Sequence, residues 1–149
     1  MKRGELLSKA ILLATQAHFG AFDKGGKPYI LHSIAVMNKV RLDDEELMCI
    51  AILHDVVEDT DVTWNDLQQA GMTSRIIEGV KGLTKMTGQT YQEYQESVFA
   101  SKDCMMVKLA DLEHNMDPAR IKGVTEKDIQ RMTKYQKFYW EIKQKLTED

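Results

Sequence analysis

The sequence predicts an all-α protein, and three observations carry that reading. Apolar residues recur at the three-and-four spacing of a helix, no run alternates with period two, and Pro28 and Pro118 both fall between periodic segments. In order, Leu6, Ala10, Leu13, Ala14 and Ala17 form the first apolar stripe. The turn-rich segment from Gly20 to Pro28 interrupts it, because Lys24-Gly25-Gly26-Lys27-Pro28 cannot continue a helix. Ile34, Met37 and Val40 resume helical spacing. Leu47 to Val57 is apolar nearly all round and is predicted to form one central, buried helix.

Thr63 and Asp66 have the spacing of a capping box, with Gly71 as the stop. Thr73 caps the next predicted helix, whose stripe is Ile76, Ile77, Val80 and Leu83. The polar stretch Thr87 to Ala100 is anchored by Tyr91, Tyr94 and Val98. Met105 to Met116 reads as a second buried helix. Thr125 and Asp128 open the last one, with Ile129, Met132, Tyr135, Tyr139, Ile142 and Leu146 in register. No linker or repeat divides the chain, so residues 1–149 are expected to form one domain.

Composition narrows the function classes. A net charge of −3 offers no global field to attract a nucleic acid or an anionic membrane, so neither is expected as a partner. A polyanionic substrate would need local cations or a metal. The N-terminal segment is amphipathic and does not resemble a signal peptide, and no apolar run reaches the roughly 18 residues needed to span a bilayer. Cys49 and Cys104 lie in apolar stretches without a CxxC pairing. They read as buried free thiols and fit a cytoplasmic location.

Chemistry concentrates in three places. AILHDVVEDT puts His54, Asp55, Glu58 and Asp59 within two helical turns, with His54 and Glu58 four apart and Asp55 and Asp59 likewise. A His-Asp dipeptide alone is weak, and an acidic helix end is often just solvated surface. Yet acids at a helix C-terminus oppose its dipole, and carboxylates this close repel unless a cation lies between them. In KLADLEHNM, Asp111 closes the mainly apolar stretch Met105 to Ala110, where an acid needs a partner. His114, three residues on, reads as a hydrogen-bonded core histidine more readily than as a ligand. His32 opens a helix after KPYIL and is structural or ligating; His18 reads as structural. Two imidazoles and two carboxylates would suit Mn²⁺, Fe²⁺, Co²⁺ or Zn²⁺ better than Mg²⁺ or Ca²⁺.

These segments, in this order, resemble the HD superfamily of metal-dependent phosphohydrolases. More narrowly, they are similar to the hydrolase domain of RelA/SpoT-type enzymes and the small alarmone hydrolases. The matching stretches are AHFGAFDKGGKPYILH, AILHDVVEDTDVT, GVKGLTK and VKLADLEHNM. The resemblance implies a single helical bundle binding one divalent metal, usually manganese, through His32, His54, Asp55 and Asp111. It implies that Glu58 and Asp59 flank the attacking water, and that Lys24, Lys85 and Asn115 line a nucleotide site. The implied reaction removes the 3′-pyrophosphate from guanosine tetra- or pentaphosphate. The alternatives are an HD-type phosphatase acting on another phosphorylated nucleotide, or an inactive nucleotide-binding module. Asp23, Leu112 and Asp117 stand where the resembled family often carries arginine, which predicts a rim poorer in phosphate-binding guanidinium groups.

Overall fold

The computed structural model describes residues 2–120 and 124–148. Among them are nine α-helices: α1 Glu5–Ala17, α2 Ile30–Lys39, α3 Glu45–Leu53, α4 Val56–Asp59, α5 Trp64–Gln69, α6 Ser74–Gly82, α7 Tyr91–Phe99, α8 Lys102–Asn115 and α9 Glu126–Thr147. A 3-10 turn, Pro118–Arg120, precedes the last. No strand forms among the described residues; one isolated bridge joins Phe22 to Pro28. None of their helices is long and apolar enough to cross a membrane.

The helix boundaries follow from local chemistry. Thr63, Thr90 and Thr125 each accept the N–H three residues on, and Asp66, Glu93 and Asp128 return the bond to the Thr N–H, forming three capping boxes. Thr73 accepts the Ile76 N–H. Gly71 ends its segment at φ 92°, a conformation that costs other residues about 1–2 kcal/mol.

α3 is the central element, packed against α1, α2, α6 and α8. Its Leu47, Cys49, Ile50, Ala51, Ile52 and Leu53 are all buried, which is why the stripe wraps the whole helix. Gly79 permits the close crossing of α6: a Cβ there would lie 2.5 Å from Ile50 Cδ1. Gly82 does the same for α8, where a Cβ would meet Cys104 Sγ at 2.6 Å. Both cysteines are free and buried as expected, and burial pushes the Cys49 thiol up to about 12.

Two expectations need correction. The predicted continuous helix from Leu47 to Val57 breaks at His54 and Asp55: α3 ends at Leu53 and α4 starts at Val56, with Asp55 at φ −122°, ψ 10°. Glu58 and Asp59 therefore lie in a new single turn and do not burden the end of a long helix. On α9, Ile142 of the expected stripe is fully buried and Tyr135, Tyr139 and Leu146 pack against the core, but Phe138, outside that stripe, is buried too and Ile129 is 49% exposed.

Candidate metal centre and adjoining pocket

The break after α3 is what builds the site. It turns His54 and Asp55 toward the residues that α2 and α8 present, and α2 packs on both α3 and α8. His32 comes from the first turn of α2 and Asp111 from the third turn of α8. One donor atom each from His32, His54 and Asp55 lie within 4.8 Å of one another, a group able to hold a metal ion. Asp111 joins them: its Oδ1 is 2.8 Å from His32 Nε2 and 3.3 Å from His54 Nε2. All four residues are buried.

The surrounding bonds orient these side chains. His54 Nδ1 donates to the Ala51 carbonyl at 2.7 Å, which leaves Nε2 as the lone-pair nitrogen of the neutral ring. The Nδ1 atoms of His32 and His114 are 2.8 Å apart. Burial, then Arg120 and His32, pushes His114 down to about 4, so at neutral pH it carries no charge and can accept from His32. His114 is thus a half-buried hydrogen-bond partner of His32.

Charge balance tests whether a cation fits. Burial opposes ionisation of Asp111, but Lys108, His32 and His54 hold it well below the usual range. Burial likewise opposes the charged forms of Asp55 and His54. The charge of His54, with the nearby His18 and Tyr29, keeps Asp55 below the usual carboxylate range, and Asp55 and Asp111 lift His54 to about 9. His18 Nε2 and Asp55 Oδ1 face each other at 3.4 Å, both buried and neither hydrogen-bonded among the described residues. A buried carboxylate oxygen left unbonded costs several kcal/mol unless a charge meets it. These residues fit a divalent cation in donor type, tautomer and charge.

Sequence reasoning passed over Lys108 and Tyr29 and read His18 as structural. Lys108 is the partner that Asp111 required; it lies inside the stretch read as mainly apolar, with Nζ 2.9 Å from Asp111 Oδ2 and beside the rings of Tyr94 and Phe138. Its i,i+3 spacing to Asp111 was the available signal. Tyr29, one turn before His32, donates its hydroxyl to Asp55 Oδ2. His18 contacts Asp55 from the end of α1, a closeness with no signature in the sequence.

The acidic pair sits at the mouth. Both side chains are exposed, yet Asp59 lies close enough to the cluster that lost solvation, then Asp55 and Glu58, push it up to about 6. Glu58 Oε1 accepts the Lys85 backbone N–H at 2.6 Å. Lys85 therefore meets the site through its main chain.

Beside the cluster, a cavity of about 260 Å³ is lined by Lys24, Asn115, Tyr29, Arg120, Arg131 and Tyr135, with Asp23 and its neighbours. Lys24 and Asn115 both line this cavity; Lys85 is not among its lining residues. Two arginines at other positions reach the lining. Asp117 Oδ1 accepts the Ala119 N–H at 2.9 Å, forming the turn that delivers Arg120, and α9 delivers Arg131. Leu112, by contrast, is fully buried core.

The profile of the HD domain family matches residues 10–135. This chain belongs to the HD domain family. The HD domain is 38% identical over 123 residues to the bifunctional (p)ppGpp synthase/hydrolase SpoT of Escherichia coli (strain K12), covering 74% of this chain and 17% of that protein. It is 37% identical over 118 residues to a guanosine-3′,5′-bis(diphosphate) 3′-pyrophosphohydrolase of Haemophilus influenzae, covering 70% of this chain and 17% of the relative. The chain thus spans about a sixth of these relatives' length. The fold matches a solved structure of a metazoan ortholog of SpoT, reported to hydrolyze ppGpp, with a TM-score of 0.78 at 22% identity, covering 95% of this chain and 87% of that one.

Proposed function

We propose that this HD domain is a metal-dependent phosphohydrolase that removes the 3′-pyrophosphate from guanosine tetra- or pentaphosphate or a closely related nucleotide. The observation that carries this reading is the convergence of His32, His54, Asp55 and Asp111 in one buried cluster, with Glu58 and Asp59 at its mouth and a cation-lined cavity at its side. Relatives named as 3′-pyrophosphohydrolases support the substrate class.

In this reading His32, His54, Asp55 and Asp111 hold one divalent cation, manganese in the first instance. When bound, it supplies positive charge that polarises a phosphate oxygen and makes a nearby water more acidic. The chain's own residues do the rest. Asp59, with Glu58 beside it, orients the water and accepts its proton as the water oxygen bonds to phosphorus. The bond from phosphorus to the ribose 3′ oxygen breaks, and the proton passes to that oxygen, so pyrophosphate and a 3′-hydroxyl result. Lys24 offsets phosphate charge, and Asn115 offers its amide to the nucleoside. Tyr29 holds the Asp55 carboxylate through one oxygen, His18 faces the other at 3.4 Å, and Lys108 holds the carboxylate of Asp111.

Metal analysis coupled to pyrophosphate release over a panel of nucleotides tests the proposal. One divalent ion per chain is expected, with release from guanosine tetraphosphate, and both are lost in His54→Ala and Asp111→Ala. Full metal occupancy in either variant would remove that residue from the ligand set. Absence of release from any 3′-diphosphorylated nucleotide would defeat the activity.

A further inference from the structure

The cavity beside the cluster contains an ion pair that the fold does not require. Arg120 and Asp23 come from segments 97 residues apart, and their side chains are only 17% and 12% exposed, so the pair lies in the cavity wall. Arg120 Nη1 is committed, donating to Asn115 Oδ1 at 2.9 Å and to the His114 carbonyl at 3.2 Å. Nη2 meets Asp23 Oδ2 only at 3.4 Å, the long limit of a hydrogen bond. Asp23 cannot close that gap freely, because its Oδ1 accepts the Lys27 N–H at 2.9 Å within its own loop. The backbones already touch without the pair: a Cβ on Gly25 would lie 2.9 Å from the Arg120 carbonyl oxygen.

We propose that Arg120 is a specificity-determining residue of this cavity, its guanidinium taking a phosphate group of the nucleotide in place of the Asp23 carboxylate. The inference rests on the nucleotide reading above and adds to it which cation reads the phosphate. A phosphate offers shorter, two-pronged bonds to a guanidinium than a carboxylate held at 3.4 Å. Lys24 and Arg131 line the same cavity, Arg131 itself paired to Asp128 at 3.0 Å, so with Arg120 three cations meet two acids and the local field still favours an incoming anion. Arg120 stays anchored through Asn115, whose Nδ2 donates to Asp111 Oδ1 at 3.2 Å, so the phosphate-binding fork is held in register with the cluster. Asp23 acts as an internal anion that neutralises the fork until phosphate displaces it.

The test measures binding of guanosine 5′-diphosphate and of unphosphorylated guanosine to the full chain as purified, by calorimetry. Wild type, Arg120→Ala, Arg120→Lys and Asp23→Asn are compared. Arg120→Ala should weaken the diphosphate about tenfold or more and leave guanosine within about twofold. Arg120→Lys, which keeps charge but loses the fork and preserves more of the packing, should fall between. Asp23→Asn should tighten the diphosphate. Equal losses for both ligands would reduce Arg120 to a prop for Asn115, and unchanged diphosphate binding or weaker binding in Asp23→Asn would equally overturn the proposal. Diphosphate discrimination in a wild type that hydrolyses no 3′-diphosphorylated nucleotide would defeat the hydrolase reading alone; hydrolysis with no effect at Arg120 would defeat this inference alone.

Discussion

His32 and His114 meet through their Nδ1 atoms at 2.8 Å, and His114 is held neutral by its surroundings. Two like nitrogens this close share one proton. With His32 donating to His114 through Nδ1, a bound cation would take the place of the proton between its Nε2 and Asp111, leaving the tautomer a metal needs. His114→Phe keeps a ring of similar shape and removes the acceptor. Its metal affinity should fall about 10–100-fold with the fold intact. Metal titration beside circular dichroism checks this, and unchanged affinity would mean that the pair has no part in binding.

Glu58→Gln separates charge from structure. The amide oxygen can still accept the Lys85 N–H, so the contact at the end of α6 survives while the negative charge is lost. Turnover should drop about 10²–10⁴-fold if Glu58 shares proton acceptance. Wild-type kcat/KM should rise with pH through a limb at or below about 6, because Asp59 must be ionised to act and a bound cation can only lower its value. In Glu58→Gln the residual activity should have a more acidic limb, since one of the charges that raises Asp59 is gone. A limb well above 7 would exclude Asp59 as the proton acceptor.

Without metal, His54 takes the role of the missing cation. Its folded value of about 9 lies above the ordinary 6.5, so folding binds a proton there. The resulting stability is fully present below pH 6.5 and is lost as pH rises through about 9, a change on the order of 3 kcal/mol. Chelated protein should therefore melt at lower temperature at pH 9 than at pH 6.5, and metal should flatten the difference. A chelated protein equally stable at both values would contradict an imidazolium in the cluster.

Gly79→Ala tests the α3–α6 crossing. Alanine gains about 1 kcal/mol in helix propensity, but its Cβ meets three Ile50 carbons at 2.5–3.0 Å, and overpacking costs about 1–3 kcal/mol. A net loss of about 1 kcal/mol is expected in denaturant titration. Combining it with Ile50→Val should restore part of the loss, because the two share the same space.

Most of the helical architecture was legible in the chain itself, because capping and periodicity are local. Thr63–Asp66, Thr125–Asp128 and the all-round burial of Leu47 to Leu53 can be read without a partner in view. The histidine and acids that converge were likewise conspicuous, since His54-Asp55 and Asp111 place polar groups inside apolar stretches. What only the tertiary structure decided depends on surfaces far apart in sequence. The helix breaks at His54 because the cluster, and not local propensity, rewards turning Asp55 toward His18 and Tyr29. Arg120 faces Asp23 because the close approach at Gly25 brings two distant loops together. Local pattern determines which residues are able to bind; only packing determines which of them meet, because a contact's free energy belongs to both partners and is absent from either segment alone.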